Sequence, residues 1–107
     1  MTFSLTTKTA AQRQAEAAAT IQAEMVSHID NLVEETAQSK DYKNAASLAG
    51  YKDSTVAAWA AEASAFIDWR DDVWVAAYAI LSDVLAGERE IPTPAEMLAE
   101  MPAIVWP

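Results

Sequence analysis

Between Asp53 and Gly87 the apolar residues recur at gaps of three and four, and no Pro or Gly interrupts them. Val56, Trp59, Ala63, Phe66, Ile67, Val73, Trp74, Ala77, Tyr78, Leu81, Val84 and Leu85 follow the period that holds side chains on one face of an α-helix. Trp69, Val73, Ala76, Ile80 and Val84 form a second stripe that widens this face, while Glu62, Ser64, Asp68, Asp71, Asp72, Ser82 and Asp83 fall mostly off it. Asp53 or Ser54 is the expected N-cap and Gly87 the expected residue just past the helix end. Such a helix, about 30 residues and roughly 45 Å long, has an apolar face that must be covered. The rest of the chain has to supply the cover or leave it to another protein.

Trp59, Phe66, Trp69, Trp74 and Tyr78 supply this helix with its bulk, and each ring can bury roughly 150–250 Å². Together with Arg70 they are the expected core anchors, with Trp59, Phe66, Trp74 and Tyr78 mostly buried against the first long helix of the chain. Arg70, the one cation on this helix, sits between Trp69 and Trp74. It is expected to reach a carboxylate on another element or to lie over a ring.

Residues 8–38 read as a second long helix, capped by Thr7 or Thr9. Its start, Ala10–Ala19, is rich in the strongest helix former but nearly free of bulky side chains. Bulk begins at Ile21 and continues through Met25, Ile29, Leu32 and Val33, with Ala18 and Thr36 on the same face. A short helix over Tyr42–Ala49, capped by Asp41 and stopped by Gly50, is expected next. After Gly87, Pro92 biases Ile91 towards extended backbone. Thr93-Pro94-Ala95-Glu96 then spells a capping box with Pro at the first helical position, opening a short helix to about Met101. Ala103-Ile104-Val105-Trp106, bounded by Pro102 and Pro107, is an extended apolar tail that either tucks back or inserts into a partner. The fold class that follows is all-α: two long amphipathic helices in a hairpin-like bundle, two short helices, and extended tails at both ends.

Charge divides the chain. Lys8 and Arg13 against Glu16 leave residues 1–20 at +1, whereas five cations and fifteen anions leave residues 21–107 at −10. An acidic body repels phosphates and anionic lipid, which argues against nucleic acid and membrane as partners and favours solubility, or pairing with a basic protein patch. Residues 1–20 are therefore read as a partner-binding arm and residues 21–107 as the helical domain. Within the arm Phe3 and Leu5 are candidate anchors, and Ala11, Ala15 and Ala18 permit close approach of a second chain, either another copy of this one (a homo-oligomer) or a different protein. A frayed terminus is the alternative reading of residues 1–7.

Chemistry is sparse. With no cysteine and a single histidine, His28, the chain has no zinc-site pattern, and His28 reads as a core or boundary residue. No Gly-flanked Ser marks a nucleophile elbow, and two glycines are too few for a phosphate loop or a dinucleotide fingerprint. The carboxylates of Glu62, Asp68, Asp71, Asp72 and Asp83 read as a solvated helix face rather than a catalytic pair. Neither an enzyme nor a cofactor is expected.

Trp59-x-x-Glu62-Ala63, Phe66-x-x-Trp69-Arg70-Asp71-x-Val73-Trp74, Leu81-x-x-Val84-x-x-Gly87 and Ile91-Pro92-Thr93-Pro94-x-Glu96-x-x-x-x-Met101-Pro102 together resemble a family of small helical proteins encoded among bacteriophage tail and tail-fibre genes. That pattern has a glycine-tyrosine segment upstream. Here Tyr42 and Tyr51 hold similar places, and Asp41 stands where Gly is commoner. The resemblance spans roughly residues 28–107. It implies a virion component of the tail or tail-fibre apparatus that acts by contact with other phage proteins, or alternatively a tail-fibre assembly chaperone that leaves the particle.

Overall fold

The computed structural model describes residues 8–107. The fold is all-α, 74% helical, with no strand among the described residues. Helix α1 (Ala10–Ser39) and helix α3 (Ala57–Leu85) are the two long elements, joined through the short α2 (Ala45–Ala49) and a 3-10 turn (Gly50–Asp53). A last short helix, α4 (Pro94–Ala99), packs on α1, and the chain ends in an extended segment. The expected N-terminal extension, with Phe3 and Leu5, lies outside the described residues.

Local chemistry sets the helix ends. Thr9 opens α1 through a reciprocal capping box: its hydroxyl accepts from the Gln12 amide at 3.1 Å, and the Gln12 side chain accepts from the Thr9 amide at 2.8 Å. Thr93 and Glu96 open α4 in the same way, at 3.1 and 3.0 Å, with Pro94 in the first turn. Gly87, at φ +76°, closes α3. Its amide donates to the Val84 carbonyl and the Glu88 amide to the Asp83 carbonyl, the paired bonds of a Schellman motif.

The connection between the long helices differs from the sequence expectation. Asp41 does not cap a helix. It adopts φ +69° and closes α1 in a second Schellman motif, with Asp41 N–H donating to Gln38 and Tyr42 N–H to Ala37. The short helix consequently starts at Ala45. Asn44 caps it by accepting from the Ser47 amide at 2.7 Å, and Glu34 reaches across from α1 to accept from the Ala45 amide at 3.1 Å. Gly50 continues into the 3-10 turn at φ −64° instead of stopping the chain. That turn occupies Asp53, so α3 begins at Ala57 without a side-chain cap, and Ser54 instead accepts from the nearby Val56 amide.

One core runs between the long helices. Met25, Ile29, Val33 and Ala37 form the buried edge of α1. They meet Ala63, Phe66, Trp69, Val73, Ala77, Ile80 and Leu81 of α3, with Leu48 of α2 and Met97 of α4 closing the two ends. Phe66, Ile29, Leu48 and Val73 are the largest side chains sealed completely from water.

The aromatic anchors divide. Phe66 and Trp69 are buried, their rings 5.8 Å apart, and Trp74 is half-buried. Trp59 and Tyr78 contradict the expectation, at 47% and 44% exposed. Successive helical residues are rotated by about 100°, so Trp74 and Tyr78, next to buried Val73 and Ala77, fall on the shoulder of the packed face. There their rings pair at 6.0 Å. Trp59 lies in the first turn of α3, where it meets Tyr51 of the 3-10 turn rather than the α1 stripe.

The C-terminal segment folds back onto the bundle. The Trp69 indole donates to the Pro102 carbonyl at 2.7 Å, a link across 33 residues. Beyond it Ile104 and Trp106 turn inward against the core while Val105 points out, the two-residue alternation of extended backbone.

Candidate functional site

Helix α1 runs past the end of α3. Its backbone is continuous from Ala10, but the first buried side chain is Met25, and between Ala10 and Thr20 only Ala18 is even half-buried. At roughly 1.5 Å per residue, more than two turns of alanine-rich helix thus stand clear of the core. The reason is compositional: methyl side chains remove too little surface from water to hold a helix against a neighbour, at about 25 cal/mol per Å². The capping box at Thr9 and an ion pair from Lys8 to Glu16, 2.8 Å, stabilise this segment locally. Both groups of that pair are well exposed, so its contribution is small.

Beside this projection lies an open groove of about 720 Å³. One wall is Gln14, Ala15, Ala17, Ala18 and Ile21 of α1; the other is Val84, Leu85, Arg89, Glu90 and Ile91, where α3 ends and the connection to α4 begins. Leu85 and Ile91 are 51% and 60% exposed, large apolar side chains left in water on the groove rim. Ala15 and Ala18 therefore line one groove, as two of the three alanines singled out in the sequence. Ala11 is exposed on the same projecting helix and lies beyond the groove lining. The sequence pattern does not mark Leu85 and Ile91 as contact residues. The signal available for them was an apolar residue at each end of the Gly87 turn, where the chain leaves the bundle.

The far wall is held by an ionic clamp. Arg89 donates two hydrogen bonds to Glu100, 3.1 and 2.8 Å, tying the α3–α4 connection to the end of α4. The pairing raises the Arg89 pKa and lowers that of Glu100, the hydrogen bond between them being the leading cause in each case. Glu96 is also held below the ordinary carboxylate range, chiefly by the Thr93 backbone amide of the capping box.

Arg70 does not bridge elements. Its guanidinium donates to Asp71, the next residue, at 2.9 and 3.1 Å. The helix places Arg70 at the boundary of the packed face with Asp71 just outside it, so the nearest carboxylate wins. The cation that does lie over a ring is Lys40, whose amino group is 5.3 Å from the Trp106 ring centre. His28 is half-buried and, with Glu24, borders a small apolar recess between α1, α3 and α4. Among the described residues no group of three His, Asp or Glu side chains converges to hold a metal ion, and no helix is long and apolar enough to cross a membrane. No family model, curated protein or solved structure matches the chain.

Proposed function

We propose that the chain is a structural component of a bacteriophage tail or tail-fibre apparatus, acting non-enzymatically through contact with other tail proteins. The observation that carries the contact role is the projecting start of α1 beside an apolar-rimmed groove, in a segment, residues 1–20, that carries +1 against −10 for residues 21–107. Ala11, Ala15 and Ala18 admit a partner backbone closely, and Leu85 and Ile91 supply apolar area for it to cover. The phage setting rests on the motif resemblance over roughly residues 28–107. Deleting residues 1–20 is the test. The isolated domain is expected to melt within a few degrees of the parent, because none of the core side chains is removed, while incorporation into particles is lost. A large fall in melting temperature would place these residues in the protein's own core and defeat the proposal. Mass spectrometry of purified particles decides the remaining choice: fixed copy number supports a virion component, and assembly dependence without retention supports a tail-fibre assembly chaperone.

A further inference from the structure

At the opposite end of the bundle, where α1 turns into α2, a second recess of about 300 Å³ is lined by Lys40, Asp41, Tyr42, Tyr51, Trp59 and Glu62. Its rings touch in series. Tyr42 and Tyr51 are 5.6 Å apart, and Tyr51 meets Trp59 at 5.6 Å with the ring planes at 78°. Tyr51 and Trp59 thus form two walls of a corner, and both are substantially exposed, at 39% and 47%. The Phe66–Trp69 pair makes a similar contact but is buried in the core. Polar groups converge beside the corner: Lys40 Nζ lies 3.6 Å from Glu62 Oε2, and the Tyr42 hydroxyl lies 3.5 Å from Glu62 Oε1. Burial, with Glu62 as the next cause, pushes the Tyr42 pKa up, so the phenol stays a donor. Asp41 presents its carboxylate from a left-handed backbone that glycine would adopt more easily.

We infer that this corner binds a carbohydrate, one pyranose ring at a time. The reasoning is chemical complementarity. An anion would face two carboxylates, Asp41 and Glu62. A cation would meet the Lys40 ammonium and compete with it for Glu62. A neutral ring bearing hydroxyls fits both halves of the site. Its C–H face lies against an aromatic wall, and each hydroxyl can donate to Glu62 or Asp41 while accepting from Lys40 or Tyr42. A pocket of this size, part aromatic and part polar, suits a small ligand held by a few oriented hydrogen bonds. Because the corner is open, affinity for a single sugar is weak, in roughly the millimolar range.

The chain provides its own reporters. It has four tryptophans, hence four indole N–H signals in a ¹⁵N-labelled full-length sample. Methyl α-glucoside, methyl α-mannoside, methyl β-galactoside and N-acetylglucosamine are titrated in turn. With at least one of them the Trp59 signal should shift saturably. Trp106, linked through Lys40, should follow weakly, and Trp69, bonded to Pro102 in the core, should stay put. Glu62→Gln, which keeps the side-chain volume, should weaken the response by about tenfold, with an unmoved Trp69 signal verifying the fold. The inference is overturned if none of the four sugars shifts Trp59 saturably, if all four indoles move together, or if Glu62→Gln binds like the parent. It is equally overturned if tetramethylammonium or a proline oligomer shifts Trp59 and the sugars do not.

Discussion

Phe66 and Trp59 sit seven residues apart on the same helix, yet they contribute to stability in different ways. Phe66 is sealed from water within the core, whereas half of Trp59 faces water. Emptying a large buried aromatic site usually costs about 3–5 kcal/mol, through lost transfer free energy and the cavity left behind. Phe66→Ala should therefore fall in that range, and Trp59→Ala should cost no more than about 1 kcal/mol. Urea denaturation of the two variants checks this. Equal losses would mean that the Tyr51–Trp59 contact is part of the core.

The two long helices end in the same way with different residues. Both close in a Schellman motif, α3 with Gly87 and α1 with Asp41. Left-handed backbone costs a residue with a Cβ roughly 1–2 kcal/mol, somewhat less for Asp and Asn. A carboxylate at the carbonyl end of a helix also opposes the helix dipole. Asp41→Gly removes both penalties, and the greater freedom of glycine in the unfolded chain offsets part of the gain. A net stabilisation of up to about 1 kcal/mol is expected, read as a raised melting temperature. A lowered one would show that the Asp41 carboxylate makes a compensating contact.

Two carboxylates couple the end of the bundle to pH. Glu96 caps α4, and Glu100 clamps Arg89, so both are held below their ordinary range when folded. The folded protein then binds fewer protons than the unfolded chain across that range. Their contribution is present above the unfolded glutamate pKa and is lost as pH falls through the lower folded values. Acid should therefore release α4 and the Arg89 connection before the long hairpin. The methyl signal of Met97, buried in α4, should lose its tertiary shift while far-UV helicity from α1 and α3 persists. Simultaneous loss of both signals would show that α4 and the hairpin unfold as one unit.

The all-α class, the long α1 and α3, the Thr93 capping box and the Gly87 helix end were legible in the linear order of residues, because each depends on neighbours within about one helical turn. The buried edge of α1 was nearly legible too, since bulk there is confined to a narrow stripe from Ile21 onward. The rotation of α3 was not. Its apolar residues spread so widely that either stripe could face inward, and docking against α1 buried Trp69 and Val73 while leaving Tyr78 on the shoulder. The groove and the aromatic corner were hidden for a related reason. Val84 and Ala18, or Lys40 and Trp59, are far apart in the chain and meet only after the hairpin closes. Helix caps are fixed by local hydrogen bonds, whereas a binding surface is fixed by which distant side chains the packing brings together and which it leaves in water.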